Sequence, residues 1–238
     1  MTFSIVARCA ETGMFGTAVA SSSPAVAARC SFAEAKTGAF SSQNITDPTL
    51  GTRGLSLMRS GAGAAETIDA LKREDANIAY RQILAVDKNG EAAAFSGVNT
   101  LGVNAEAVAD NAACAGNLLA DDNVINAMMD GFLHAEGHFG DRLLSALRAA
   151  LQAGGEAGPI HSAGIKIADK TEWPFVDLRC DWSESSCPVE ELTHTWNVYH
   201  PQMNDYIQRA LEPAKAPRYH VPGELSEESP APNEEETR

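Results

Sequence analysis

Two tight hairpins restrict this sequence more than any other feature. Thr2 to Arg8 is strand-like, Glu11-Thr12-Gly13 is a turn, and Phe15-Gly16-Thr17-Ala18-Val19-Ala20 returns as a second apolar run. The pattern recurs as Gln82-Ile83-Leu84-Ala85-Val86, the turn Asp87-Lys88-Asn89-Gly90, and Glu91 to Ser96. Asn-Gly is the dipeptide that tolerates the left-handed backbone of a short hairpin turn. Loops this short force antiparallel pairing, because a parallel partner needs a long crossover. Two similar hairpins therefore predict two sheets, or two halves of one sandwich.

The segments between and after the hairpins supply helices in pairs. Lys36 to Ser42 reads as a strand, and Thr52 to Lys72 as two short helices broken at Ser60-Gly61-Ala62-Gly63, with Ala64, Ile68 and Leu71 on one face of the second. A strand around Ala112 to Gly116 precedes two stronger helical patterns. Asp121 to His134 aligns Val124, Met128 and Phe132; Asp141 to Ala153 aligns Leu144, Leu147 and Leu151 and stops at Gly154-Gly155. Ser162 to Ala168 and Phe175 to Cys180 return to strand, and Pro188 to Leu211 is mainly helical with a break near Pro201. Paired helices between antiparallel strands predict an α+β layered domain rather than a parallel α/β sheet.

Charge and composition bound the function classes. The net charge of −14 and the absence of any Lys/Arg run argue against nucleic acid, whose phosphates need clustered cations. No apolar run approaches the ~18 to 20 residues of a bilayer-spanning helix, and Met1 to Arg8 lacks the basic leader and long apolar stretch of a secretory signal, so a cytoplasmic protein is expected. Five cysteines at wide spacings, without a C-x-x-C pair, read as reduced and mostly buried thiols. Val221 to Arg238 carries six Glu, one Arg and three Pro with almost nothing to bury. The expected organisation is one domain over 1–212 and an acidic, Pro/Glu-rich disordered tail over 213–238.

Several motif-like stretches yield to plainer readings. A phosphate-binding loop and a G-x-S-x-G elbow are both missing. Gly61-Ala62-Gly63 follows a helix rather than a strand and reads as a helix break. His134 and His138 stand at a spacing that would let two imidazoles share a metal on a helix, but Gly137 between them marks a helix end. His161 and Ser162 are adjacent on a strand and point to opposite faces, so they form no dyad. Neither a metal nor a cofactor is expected.

Thr2 is the residue with distinctive chemistry. Cells generally remove an initiator Met that precedes a small residue, which would leave a threonine carrying both a hydroxyl and a free α-amine at the start of a strand. With a free pKa of ~7.7 to 8.0, that amine is partly neutral near pH 7 and can take the hydroxyl proton, so one residue combines nucleophile and base.

Met1-Thr2-Phe3-Ser4-Ile5-Val6-Ala7-Arg8, Gly16-Thr17-Ala18-Val19-Ala20-Ser21, Ser42-Gln43 with Thr46-Asp47-Pro48, Arg81-Gln82, Ala115-Gly116-Asn117-Leu118-Leu119, Ser162-Ala163 and Asp177-Leu178-Arg179-Cys180-Asp181 together resemble the bacterial DUF1028 family. That family is assigned to the N-terminal nucleophile (Ntn) hydrolases. The resemblance implies a four-layer αββα sandwich of antiparallel sheets and a nucleophile at the mature N-terminus. It points to Thr2, Asn117 and Gln43 as catalytic residues, the two amides serving as oxyanion donors, and to Arg8, Arg81, Ser21, Ser162 and Asp177 around a substrate. The implied activity is cleavage of an amide-type bond in a small molecule, and self-association is left open. An inactive scaffold or ligand-binding protein on the same fold is the competing expectation, with a metal hydrolase using His134 and His138 behind it.

Overall fold

The computed structural model describes residues 1–222 and 224. It divides into two compact units, Met1–Pro201 and Gln202–Arg238. In the first unit, hairpin β1 (Thr2–Arg8) and β2 (Phe15–Ser21) forms as expected, followed by a one-turn helix α1 (Val26–Cys30), β3 (Ser31–Glu34) and β4 (Gly38–Asn44). Helices α2 (Thr49–Arg59) and α3 (Ala64–Glu74) flank the predicted glycine break, and the second hairpin is β5 (Arg81–Asp87) with β6 (Ala92–Ser96). Then come β7 (Ala105–Ala109), β8 (Ala112–Asn117), α4 (Val124–Leu133), α5 (Phe139–Gln152), β9 (Ser162–Ala168), β10 (Val176–Cys180) and α6 (Pro188–Tyr199).

The two hairpins seed two sheets. A six-stranded sheet runs β10-β9-β2-β1-β8-β7 and a four-stranded sheet runs β3-β4-β5-β6, with every pairing antiparallel. The sheets face each other, α2 and α3 cover the outer side of the smaller one, and α4, α5 and α6 cover the larger one. The result is the four-layer αββα sandwich that the resemblance implied.

Three short elements, α1, β3 and β7, were not expected. β3 has only four residues, and β7 reads Ala-Glu-Ala-Val-Ala, too poor in β-branched and aromatic side chains to stand out as a strand. The strand expected over 36–42 is shifted to Gly38–Asn44, because Lys36 takes the left-handed backbone of the β3–β4 turn. Leu144 and Leu147 are buried as expected, whereas Leu151 is only half-buried at the last turn of α5.

Strand alternation fixes what faces what. Val6, Phe15, Ala33, Ala39, Leu84, Val86, Ala113 and Ala115 meet between the sheets and make that layer apolar over most of its length. On the same inward faces, one end changes character: Ser4, Ser41, Gln43, Gln82 and Asn117 replace the aliphatic residues. This polar end carries Thr2.

The second unit holds α7 (Met203–Leu211) and a 3-10 turn at Pro213–Lys215, so the expected boundary at 212/213 falls within it. Here Arg209 lies over the rings of Tyr206 and Tyr219, at 5.3 and 3.8 Å from their centroids. Of the expected disordered tail over 213–238, residue 223 and residues 225–238 lie outside the described residues. Among the described residues no helix is long and apolar enough to cross a membrane. All five cysteines are free, four of them buried and Cys187 half-buried.

Candidate active site

Four polar side chains form a row across four neighbouring strands. Ser162 on β9 is paired with Ser21 on β2, Thr2 on β1 is paired with Asn117 on β8, and the Thr2 and Ser21 hydroxyl oxygens are 3.3 Å apart. Directly opposite residues of an antiparallel pair share a face, so Ser162, Ser21, Thr2 and Asn117 all look toward the second sheet. Thr2 is 6% exposed, covered by Met1. The hydroxyls of Thr2 and Ser21 both donate to the carbonyl oxygen of Met1. Ser21 Oγ also accepts the N–H of Ser23 at 3.0 Å, which fixes its rotamer.

Behind the row runs a chain of buried amides. Asn117 Nδ2 donates to Gln82 Oε1 at 3.0 Å, and Gln43 Nε2 donates to the same oxygen at 2.8 Å and to the Ala115 carbonyl at 3.1 Å. Gln82 Nε2 in turn donates to Ser96 Oγ and to the Gly116 carbonyl, and Ser4 Oγ donates to Gln43 Oε1 at 2.6 Å. Asn117 Oδ1 is buried without a hydrogen-bond partner. An acceptor left in that state costs about 1 to 3 kcal/mol. Both N–H bonds of Gln43 are already committed to structural acceptors, so Gln43 braces the sheets against each other and is not poised as an oxyanion donor. Asn117 keeps one N–H and its oxygen for the site.

A carboxylate absent from the expected set completes the surroundings. Gly154 and Gly155 take left-handed backbone after α5, and Leu118 does so after β8; the two loops clamp together through Ala120 N–H to Gly155 O and Ala157 N–H to Leu118 O, both at 3.0 Å. This lays Glu156 over the end of β2, where both carboxylate oxygens accept the N–H of Ser22, at 3.1 and 3.2 Å. Glu156 is 5% exposed. Burial pushes its carboxyl up to about 7, against the opposing pull of the chain's α-ammonium, the Ser22 hydrogen bond and His161.

His161 stacks on Trp182 with centroids 4.5 Å apart, and its Nδ1 lies 2.8 Å from the Ser183 carbonyl. A carbonyl only accepts, so Nδ1 carries a hydrogen. Glu156 and His161 line an open cleft of about 430 Å³, walled also by Gly158, Pro159, Ile160 and Cys187. A sequence signal for Glu156 exists: it is the single Asp, Glu, Lys or Arg between Ala149 and Ile165.

The remaining expected residues lie elsewhere. Arg8 is six residues along β1 from Thr2, about 20 Å at 3.3 Å per residue, and donates to Asn111 Oδ1 at 3.0 Å. Arg81 is held by Asp75 at 3.1 Å and by the Ile45 carbonyl at 2.6 Å. Asp177, on the edge strand, pairs with Lys166, and Arg179 pairs with Asp181 rather than with Asp177. Ser162 donates to the Ser23 carbonyl at 2.6 Å and accepts the Val26 N–H, anchoring the turn into α1. His134 and His138 serve two different helix ends. His134 Nδ1 meets the Asp130 carbonyl, whereas His138 accepts the Gly140 N–H as N-cap of α5 and packs against Trp196 and His200. Among the described residues no group of three or more His, Cys, Asp or Glu could hold a metal ion.

Known proteins resemble this architecture to differing degrees. A crystal structure of a DUF1028 protein from Silicibacter pomeroyi is 30% identical, with a TM-score of 0.77 over 83% of this chain and 88% of that one. HslV from Trypanosoma brucei aligns at 10% identity and a TM-score of 0.41 over 71% of this chain and 99% of its own. Anbu from Hyphomicrobium sp. strain MC1 aligns at 13% identity and 0.41 over 93% and 100%. No curated protein matches the chain. Residues 2–192 match a family of unknown function, DUF1028, and the chain belongs to that family.

Proposed function

We propose that the protein is an N-terminal-nucleophile hydrolase that cleaves an amide-type C–N bond in a small molecule. The observation that carries this reading is a carbonyl held at the nucleophile: the Met1 oxygen accepts from Thr2 Oγ1 and from Ser21 Oγ together. Ser21 thus stands beside Thr2 Oγ1 as a hydroxyl donor to a carbonyl oxygen at that position, which is what stabilising an oxyanion there requires.

With Met1 removed, the Thr2 α-amine takes the Oγ1 proton while the oxygen bonds to the substrate carbonyl carbon. The Ser21 hydroxyl and the uncommitted Asn117 N–H donate to the developing oxyanion, each worth roughly 2.7 to 4 kcal/mol if placed as in known oxyanion holes. Asn117 Oδ1, unpartnered while Met1 is present, accepts a hydrogen from the freed α-amine. The amine then passes its proton to the leaving nitrogen as the C–N bond breaks, and water hydrolyses the Thr2 ester.

In this reading the enzyme is cytoplasmic, in keeping with five free thiols, and needs no cofactor. The decisive test is the pair Thr2→Ala and Thr2→Ser on protein confirmed by mass to lack Met1: the alanine variant loses turnover and the serine variant keeps part of it.

A further inference from the structure

Met1 lies across the site as an aminoacyl group would. Its carbonyl oxygen is held by Thr2 and Ser21. Its side chain runs toward Gly158 in the wall of the cleft, with Met1 Cε 3.6 Å from where a β-carbon on that glycine would stand. Glu156 stands beside Met1, because its carboxylate accepts the N–H of Ser22, the neighbour of the Ser21 that holds the Met1 carbonyl, and the chain's α-ammonium pulls that carboxyl toward the charged form without forming an ion pair with it.

Glu156 forms no ion pair with a side chain among the described residues; His161 and the α-ammonium act on it only from further off. The hydrogen-bond donor to its carboxylate is the neutral Ser22 N–H. A carboxylate that is 5% exposed and unpaired by any side chain is costly to keep charged. Loss of Met1 moves the α-amine back to Thr2 and vacates the space between Thr2 and the Gly158 wall. Across the row, the buried and unpartnered Asn117 Oδ1 is a second acceptor at the same end of the sheets.

We infer that the space vacated by Met1 is the acyl subsite, and that it takes an α-aminoacyl amide whose free ammonium is recognised by Glu156 and whose mid-sized apolar side chain enters the cleft at Gly158, Pro159 and Ile160. This rests on the reading of Thr2 as nucleophile. The scissile acyl C–N bond breaks as the Thr2 Oγ1–C bond forms, the hydroxyl proton travels through the Thr2 amine to the departing nitrogen, and water releases the amino acid. Acylation of the substrate amine removes the charge that Glu156 recognises.

The test separates binding from turnover. Thr2→Ala protein, confirmed by mass to lack Met1, is titrated calorimetrically at about pH 7.5 with L-methioninamide and with N-acetyl-L-methioninamide. The free amine binds at least about tenfold more tightly, a difference of roughly 1.4 kcal/mol, and Glu156→Gln in the same background abolishes the difference. Equal binding of both probes, binding of neither, or a preference that survives Glu156→Gln overturns the subsite. Turnover by the Thr2-bearing enzyme reports separately on the nucleophile. Preferential binding of methioninamide without hydrolysis sinks Thr2 and leaves the subsite standing, whereas equal hydrolysis of both amides does the reverse.

Discussion

Thr2 and Asn117 stand directly opposite each other on neighbouring antiparallel strands, and Asn117 is tied through Gln82 to the facing sheet. The site is therefore only as well placed as the amide chain behind it. Gln82 has four of these bonds: it accepts from Gln43 and Asn117 and donates to Ser96 and the Gly116 carbonyl. Gln82→Leu takes one hydrogen bond from each of these partners and leaves the buried Asn117 Nδ2 without its acceptor, and apolar volume does not replace these bonds. The expected loss is about 3 kcal/mol, read as a fall in Tm of about 6 to 12 °C by calorimetry. An unchanged Tm would mean that water replaces the amide.

Gly54→Ala in α2 runs against helix propensity. Alanine is ordinarily better than glycine in a helix interior by about 0.8 to 1.0 kcal/mol. Here the new β-carbon would stand 2.5 Å from Cδ2 of Phe40, a ring buried under the helix. Overpacking of that kind costs about 1 to 3 kcal/mol, so denaturant midpoints place the variant below the wild type. Ser56→Ala, at an exposed position of the same helix, is neutral or slightly stabilising.

The sequence exposed what short-range patterns encode. Gly13 and Asn89-Gly90 marked both hairpins, and the break at Gly61-Ala62-Gly63 separated α2 from α3. The sandwich itself came from the family resemblance, because hairpins alone do not say which faces meet. The site was half legible. Thr2 stood out by its chemistry, and Asn117 and Ser21 belonged to matching motifs. Their shared row depends on register across strands distant in sequence, which single-chain spacing does not reveal. Arg8 was drawn in by the same motif as Thr2, yet an extended strand carries the two to opposite ends. Glu156 was passed over as the residue after a helix stop, since its burial depends on two loops clamping together.

Glu156 also sets a pH dependence. Its folded pKa of about 7 lies above the ordinary value of 4.5, so the folded state holds the proton more tightly than the unfolded state. The linked stability is fully present below about pH 4.5 and is lost as pH rises through about 7. Glu156→Gln cannot ionise and escapes that loss. The variant is expected to match the wild type near pH 4 and to exceed it on the order of 1 to 3 kcal/mol at about pH 8, measured by denaturant titration at both values. A gain of equal size at both values would contradict the assignment.

The Thr2 mechanism needs a free Thr2 α-amine, so intact-mass measurement of the expressed protein should show a chain that begins at Thr2 and is otherwise uncleaved. A homogeneous preparation that keeps Met1 and still turns over an amide removes Thr2 from the mechanism, because its amine would then be acylated.

The kinetics of Thr2 variants follow from nucleophile and base being one residue. Thr2→Ala removes the hydroxyl and is expected to abolish turnover while Tm stays close to the wild type, for Oγ1 contributes only a hydrogen bond with Ser21 and one with Met1, which the mature chain lacks. Thr2→Ser keeps hydroxyl and amine and loses the methyl that restricts χ1, so it retains part of kcat. The acidic limb of kcat/KM reports the free α-amine, whose ordinary pKa is ~7.7 to 8.0. Arg8 and Arg81 are committed elsewhere and cannot depress it, whereas a charged Glu156 holds the ammonium form and moves the limb upward. Glu156→Gln should accordingly shift the limb to lower pH. A limb near 6.5 that is insensitive to Glu156→Gln but lost in His161→Gln would assign the base to the imidazole beside the cleft instead.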